Sequence, residues 1–254
     1  MKYYVVSDVH GFYSRLHTAL TDAGFFAETE PNQLVVLGDL FDRGSEAEKL
    51  QEFILELMEQ DRVVLVRGNH EDLFVDLVTV DGGFPFSHHR HNGTFDTALQ
   101  LTGYDKREAL ADPCGFAEAA RNTPYYQRII PAMLDCFESE QYVFVHGWIP
   151  CAFEDGEFCA YEDWRSSGPY AWERARWYNG MDAVCTVRDD KTVVCGHWHA
   201  SYGHARFENR GSEFGEDADF SPYMAPGIIA VDGCTAYSGR VNVVVLEENE
   251  YKGA

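Results

Sequence analysis

The stretch Leu34-Val35-Val36-Leu37-Gly38-Asp39-Leu40-Phe41-Asp42-Arg43-Gly44 decides the fold. Its apolar half reads as a fully buried strand, and its charged half begins where that strand must stop. In an open α/β sheet the ligand site lies beyond the carboxyl ends of the strands, so Asp39 and Asp42 stand where a ligand would be met. The same arrangement occurs four more times. Val5-Val6 leads into Asp8-Val9-His10, and Val63-Val64-Leu65-Val66 into Gly68-Asn69-His70-Glu71. Tyr142-Val143-Phe144-Val145 leads into His146-Gly147, and Val193-Val194-Cys195 into Gly196-His197-Trp198-His199. Carboxylates, imidazoles and one amide delivered to a common edge make a hard N/O site able to hold two divalent ions. One such ending is coincidence; five make a metal centre.

Between the first three strands lie two helical patterns. Leu16, Ala19, Leu20 and Ala23 share a face that Gly24 is placed to end. Ser45 and Glu48 form a capping box ahead of Leu50, Phe53, Ile54, Leu57 and Met58. Strand, helix, strand, helix, strand means two right-handed parallel crossovers, hence an α/β fold. A third helix is expected from Asp72 to about Val80. Residues 81–135 break the rhythm with Gly82, Gly83, Pro85, Pro113, Pro124 and Pro131. They read as an irregular, mainly helical excursion, with Thr94 capping a short helix through Leu101. Within it, Ser87-His88-His89-Arg90-His91 reads as a surface loop near the site mouth, not a second metal centre. Residues 151–181 read as a loop and one helix. Ile228–Val231 and Val241–Leu246 read as an antiparallel hairpin turning at Ser238-Gly239. Residues 1–254 are taken as one domain.

Asp-x-His-Gly, Gly-Asp-x-x-Asp-Arg-Gly, Gly-Asn-His-Glu, a later Val-His-Gly and Gly-His-x-His, in that order, resemble the calcineurin-like metallophosphoesterase superfamily. The Asp-Arg-Gly and Gly-Asn-His-Glu forms are similar to the branch of Ser/Thr protein phosphatases and symmetrical dinucleoside tetraphosphatases. The resemblance implies two mixed β-sheets packed face to face with flanking helices, a four-layer αββα sandwich. It also implies that Asp8 and His10 hold a first metal, that Asp39 bridges both, and that Asn69, His146 and His197 hold the second. The double form Gly-His-Trp-His departs from that branch, and there His199 is expected to join the first metal. Residues two apart on an extended segment point the same way. By the same resemblance His70 protonates the leaving group, Asp42 fixes its tautomer, and Arg43 grips the phosphoryl oxygens. Arg67 and Glu71 are read as structural pairing near the site. In Trp172-Glu173-Arg174-Ala175-Arg176-Trp177, either Arg174 or Arg176 matches a second phosphate clamp.

Bulk composition sets the partners. The chain has 254 residues, and 20 Lys+Arg against 42 Asp+Glu give a net charge of −22, which disfavours nucleic acid and anionic membranes. Seven cysteines without a C-x-x-C pair read as reduced thiols in a cytoplasmic protein, and no apolar stretch approaches a membrane span. The cofactors are then two divalent ions, manganese first, with iron and zinc also suited to the donors. The expected activity is hydrolysis of phosphomonoesters by a metal-bridging hydroxide, acting on a phosphorylated protein (Ser/Thr, or both Ser/Thr and Tyr) or a small phosphoester. The enzymatic alternative is symmetrical dinucleoside polyphosphate hydrolysis. The alternative outside catalysis is a metal-binding protein scaffold, which His70 and Arg43 argue against.

Overall fold

The computed structural model describes residues 1–154, 156–184 and 191–248. Eleven strands are named in chain order: β1 (Lys2–Val6), β2 (Asn32–Leu37), β3 (Val63–Val66), β4 (Phe137–Glu138), β5 (Tyr142–Phe144), β6 (Cys151–Glu154), β7 (Glu157–Ala160), β8 (Thr192–Cys195), β9 (Tyr223–Ala225), β10 (Ile228–Ala230) and β11 (Val244–Glu247). One sheet has the order β11-β1-β2-β3, and the other β4-β5-β8-β10-β9. In the first, β1, β2 and β3 are parallel and β11 is antiparallel. In the second, β5, β8 and β10 are parallel, with β4 and β9 antiparallel at the edges. Both sheets are therefore mixed.

Side-chain alternation explains how they stack. Successive strand residues face opposite sides. Tyr3, Val5, Val35, Leu37, Phe144 and Val194 meet in a core between the two sheets. Their neighbours Tyr4, Val6, Leu34 and Val36 face outward onto helices, in a cluster with Leu16, Leu20, Leu50 and Ile54. On the far side Val143, Val193, Cys195, Ile228 and Ala230 pack with Trp148, Trp172 and Met181. The result is the αββα sandwich expected from the motifs, with strands apolar on both faces because both faces are covered.

The helices are α1 (Tyr13–Asp22), α2 (Ala47–Glu59), α3 (Asn69–Val75), α4 (Ser87–Asn92), α5 (Thr94–Thr102), α6 (Lys106–Ala111), α7 (Pro113–Arg121), α8 (Ile130–Ala132), α9 (Pro169–Ala175), α10 (Gly180–Ala183), α11 (Ala200–Phe207) and α12 (Thr235–Ser238). Short π-helical turns follow α3 and precede α8. Residues 81–135 are mainly helical, as read from the sequence. Among the described residues no helix is long and apolar enough to cross a membrane. Six cysteines are free thiols; Cys185 lies outside the described residues.

Several local expectations are corrected. The capping box does not form: α2 starts at Ala47, and Glu46 instead accepts from the Ser14 amide at 3.0 Å and its hydroxyl at 2.6 Å. The third helix begins at Asn69, three residues early, so Asn69 and His70 sit in its first turn. Residues 151–181 contain the β6–β7 hairpin and two helices, α9 and α10. The closing hairpin is absent, because β10 pairs with β8 and β9 while β11 pairs with β1. Residues 231–243 cross from one sheet to the other, and Gly239, at φ +70°, ends α12 and does not join two strands. The cap of α5 is Gly93, and the Thr94 hydroxyl is used elsewhere.

Candidate metal centre

The parallel strands deliver their following residues to one edge. Gly38 permits this closeness: its φ is +78°, and a Cβ there would lie 2.6 Å from the Gly68 backbone. Donor atoms of Asp39, His146 and His197 converge within 4.8 Å, as do those of His10, Asp39 and His70. His10 Nε2 lies 3.9 Å from both Asp8 Oδ1 and Asp39 Oδ2. His146 Nε2 lies 3.4 Å from Asp39 Oδ1 and 2.8 Å from Asn69 Oδ1. Asp8, His10, Asp39, Asn69, His146 and His197 are thus brought together, with Asp39 at the centre.

Backbone carbonyls set the imidazoles. His10 Nδ1 donates to Phe41 O at 2.9 Å and His146 Nδ1 to Leu37 O at 2.6 Å. Each ring then keeps its Nε2 lone pair for the site, the arrangement typical of metal-ligating histidine. Asn69 Oδ1 lies 2.8 Å from His146 Nε2, and the donor set of carboxylate, imidazole and amide oxygen fits a divalent cation.

Charge follows the same geometry. Burial would push the Asp39 carboxyl up, but His146, His70, His10 and His197 outweigh it and hold it well below the usual carboxylate range. Burial, then the Arg43 guanidinium, keeps His10 well below the usual imidazole range. Burial, then His146, takes His197 down to about 3. Both are neutral, with free lone pairs, at physiological pH. His70 differs. Burial pulls it down, yet Asp39 and its bond to Asp42 raise it to about 9. By distance alone it is as near Asp39 as His10 is, with Nε2 3.8 Å from Asp39 Oδ2. What sets it apart from His10 is its Nδ1 partner, a carboxylate where His10 has a backbone carbonyl.

His70 Nδ1 donates to Asp42 Oδ2 at 2.7 Å. Arg43 lies between the two histidines, Nη1 2.8 Å from His10 Nε2 and Nη2 3.1 Å from His70 Nε2. Glu71, fully buried, accepts from the amides of Gly68, Asp39 and Leu40, so it ties the loop after β2 to the start of α3. Arg67 pairs with Asp72 at 2.7 Å. Asp8, His10, Asp39, Asp42, Arg43 and His197 all have φ between +52° and +75°. Left-handed non-glycine residues are costly, and their clustering marks functional sites.

Two of the expected site groups have other partners in this geometry. His199 does not face the cluster: its Nδ1 lies 2.9 Å from Ser201 Oγ and its Nε2 3.2 Å from Glu213 Oε1. The two-residue rule assumes an extended chain, but His197 is left-handed at φ +63° and His199 caps α11, so the alternation is broken. Arg176 is buried and ion-paired to Asp72 at 2.6 Å and Asp135 at 2.5 Å. Arg174 is exposed and hydrogen-bonded to Tyr178. Asp81, His88 and His89 also converge. The Phe86 amide donates to His89 Nδ1 at 3.2 Å, so Nε2 carries the ring proton and faces Asp81 at 3.3 Å. Despite that distance His89 Nε2 makes no hydrogen bond and is left buried without a partner.

Sequence reasoning missed Asp232. It is buried, accepts from the Cys234 amide at 2.7 Å, and is pushed well above the carboxylate range by burial and by Asp8. The strand-end signal was available, since Ile228–Val231 leads straight into it.

The profile of the calcineurin-like phosphoesterases matches residues 1–201. The chain belongs to this family. As a calcineurin-like phosphoesterase it is a phosphoric-ester hydrolase whose chemistry depends on divalent metal ions. Solved structures share its fold at low identity. A protein provisionally assigned as a diadenosine tetraphosphatase is 16% identical, with 96% of this chain and 89% of that one covered and a TM-score of 0.53. A cold-active protein-tyrosine phosphatase of a psychrophilic Shewanella is 18% identical, with 98% and 76% covered and a TM-score of 0.54. A protein serine/threonine phosphatase from Saccharomyces cerevisiae is 14% identical, with 99% and 81% covered and a TM-score of 0.52. A comparison with curated protein sequences finds no match.

Proposed function

We propose that this phosphoesterase hydrolyses phosphomonoesters, with phosphorylated Ser and Thr side chains of proteins as its main substrates and phosphotyrosine within its reach. One observation carries the reading: His70 is held through Nδ1 by Asp42 at 2.7 Å, with its Nε2 3.8 Å from Asp39 Oδ2 and Arg43 beside it. Cleaving an alkyl phosphate leaves an alkoxide that needs a proton. His70, held through Nδ1 by Asp42, presents Nε2 toward the cluster and can deliver one. Arg43 offers a planar fork for phosphoryl oxygens, and turning onto an anion would release His70 Nε2 from its guanidinium. Asp8, His10 and Asp39 would hold one divalent ion, and Asp39, Asn69, His146 and His197 a second, with manganese ahead of iron and zinc. Bound there, such ions supply an acidified water and neutralise phosphoryl charge.

Two features favour a monoester over a dinucleoside polyphosphate. Arg176 is committed to Asp72 and Asp135, which leaves Arg43 as the phosphate grip supported by geometry. A net charge of −22 also opposes a substrate carrying a run of phosphates. A cytoplasmic setting belongs to the same proposal and rests on the odd set of reduced cysteines.

The test is a side-by-side assay of manganese-loaded protein on a phosphopeptide panel and diadenosine tetraphosphate, repeated with His70→Ala. Phosphopeptides should be turned over faster. The variant should keep its metal and lose on the order of 10²–10⁴-fold on alkyl phosphates, and less on p-nitrophenyl phosphate, whose leaving group barely needs a proton. Faster turnover of the dinucleotide would overturn the substrate class. Equal losses on both leaving groups would overturn the role of His70.

A further inference from the structure

We propose that one face of α5, made by Thr94, Thr97 and Gln100, is the splint that fixes Asp42, His70 and Arg43 in working geometry, with Thr94 the positioning residue of the Asp42–His70 pair. The inference rests on the proton-delivering role proposed for His70.

The loop that carries these groups needs outside support. Asp39, Asp42 and Arg43 have φ of +52°, +75° and +65°, and non-glycine residues hold such angles only where their surroundings impose them. Residues three apart on a helix share a face, and 94, 97 and 100 follow that spacing. All three bond the same loop. The Thr94 hydroxyl donates to Asp42 Oδ2 at 2.6 Å, the same oxygen that accepts from His70 Nδ1 at 2.7 Å. Thr97 Oγ1 accepts from the Asp42 amide at 2.9 Å. Gln100 holds the far end, donating to Gly44 O at 3.0 Å and accepting from the Ala47 amide at 3.0 Å. Gly93, at φ +87°, lets the start of α5 press on the Arg43 amide, where a Cβ would collide.

Burial makes these bonds hard to replace. Thr94 and Thr97 are buried, so water does not readily substitute for a lost hydroxyl. Nor is Thr94 spent on its own helix, whose cap is Gly93 and has no side-chain cap bond. Its hydroxyl fixes the plane of the Asp42 carboxylate, and that plane aims the His70 ring. Thr94 touches neither substrate nor metal donors in this geometry and acts through Asp42.

The test uses the manganese-loaded full chain, with an alkyl phosphate and p-nitrophenyl phosphate as paired substrates and His70→Ala run in parallel. Thr94→Val keeps the shape and removes the donor. It should keep wild-type metal content and lose on the order of 10–10²-fold in kcat on the alkyl phosphate, part of the full general-acid contribution. KM should move by less than about threefold, and the p-nitrophenyl loss should be clearly smaller. Thr94→Ser, which retains the hydroxyl, should restore the alkyl activity. Equal losses on both substrates, no loss on either, or failure of serine to rescue would overturn the proposal. Should Thr94→Val not fold, Thr97→Val takes its place with the same substrate-selective loss required. If His70→Ala shows selective loss and the threonine variants do not, the splint alone is wrong. If His70→Ala shows no selectivity, the reading beneath it has failed.

Discussion

Glu71→Gln tests whether the buried bracket behind the metal centre works as an anion. Glu71 is fully buried and faces four donors: Gly68 N at 2.7 Å and Asp39 N at 3.0 Å on one oxygen, Leu40 N at 3.0 Å and the Tyr125 hydroxyl at 3.2 Å on the other. Glutamine replaces one oxygen with a donor. Placed toward Gly68 and Asp39, its amide group would orphan two backbone N–H groups. Placed toward Leu40 and Tyr125 it orphans one, because the tyrosine hydroxyl can turn and accept. The cheaper arrangement still leaves a buried donor unpaired, at about 1–3 kcal/mol. The remaining bonds also lose charge assistance, and relief from burying an anion offsets part of that. A net loss of about 2–4 kcal/mol follows, roughly 5–15 °C in Tm for a chain of this size. Metal uptake should weaken too, since the bracket holds the Asp39 amide.

Thermal melts of the metal-free protein at neutral pH, paired with metal analysis, provide the measurement. Burial, then Asp39, pushes the Glu71 carboxyl up, so the native state binds its proton more tightly than the unfolded chain does. That contribution to stability is full below the unfolded pKa and is lost as pH rises through the folded one. Wild type should therefore show a decline with rising pH that Glu71→Gln lacks. A neutral-pH melt within about 1 °C of wild type would refute the anionic bracket, because glutamine would then be a faithful stand-in for a protonated Glu71.

Asp39→Asn should remove metal and activity together, because Asp39 lies in both donor groups; wild-type protein retaining at most one manganese per chain after desalting would defeat the two-ion reading. His199→Ala should keep metal content and affinity, as its ring nitrogens serve Ser201 and Glu213. Loss of one ion in that variant would return His199 to the ligand set. Arg176→Ala should lower stability by about 2–4 kcal/mol, less than a fully buried pair because Asp135 is partly exposed. Its KM for a phosphomonoester should stay near wild type, and a tenfold rise without a change in melting would make Arg176 a phosphate clamp after all.

What the sequence made legible is what strand ends encode locally. A strand apolar on both faces, followed at once by Asp39 or His146, places a donor at the sheet edge whatever happens elsewhere, so an α/β fold with donors at a strand edge could be read from runs of a few residues, while the αββα layers and the division of the six donors rested on the family resemblance of the motifs. Asp232 obeys the same rule and was missed only because its strand was read as half of a hairpin. The choice between sheets depends on whether β10 finds β8, a pairing that no local pattern around residues 228–246 specifies. His199 is a different case. Alternation is a property of extended backbone, and a left-handed His197 ends it before the second histidine. Thr94 shows the deepest limit. A threonine at the start of a helical pattern is normally a cap, and only tertiary structure brings Asp42, 52 residues away, to its hydroxyl. The residues that perform chemistry announce themselves because metals and phosphate demand particular atoms. The residues that aim them do not, because any hydroxyl in the right place serves, and the place is set by the fold.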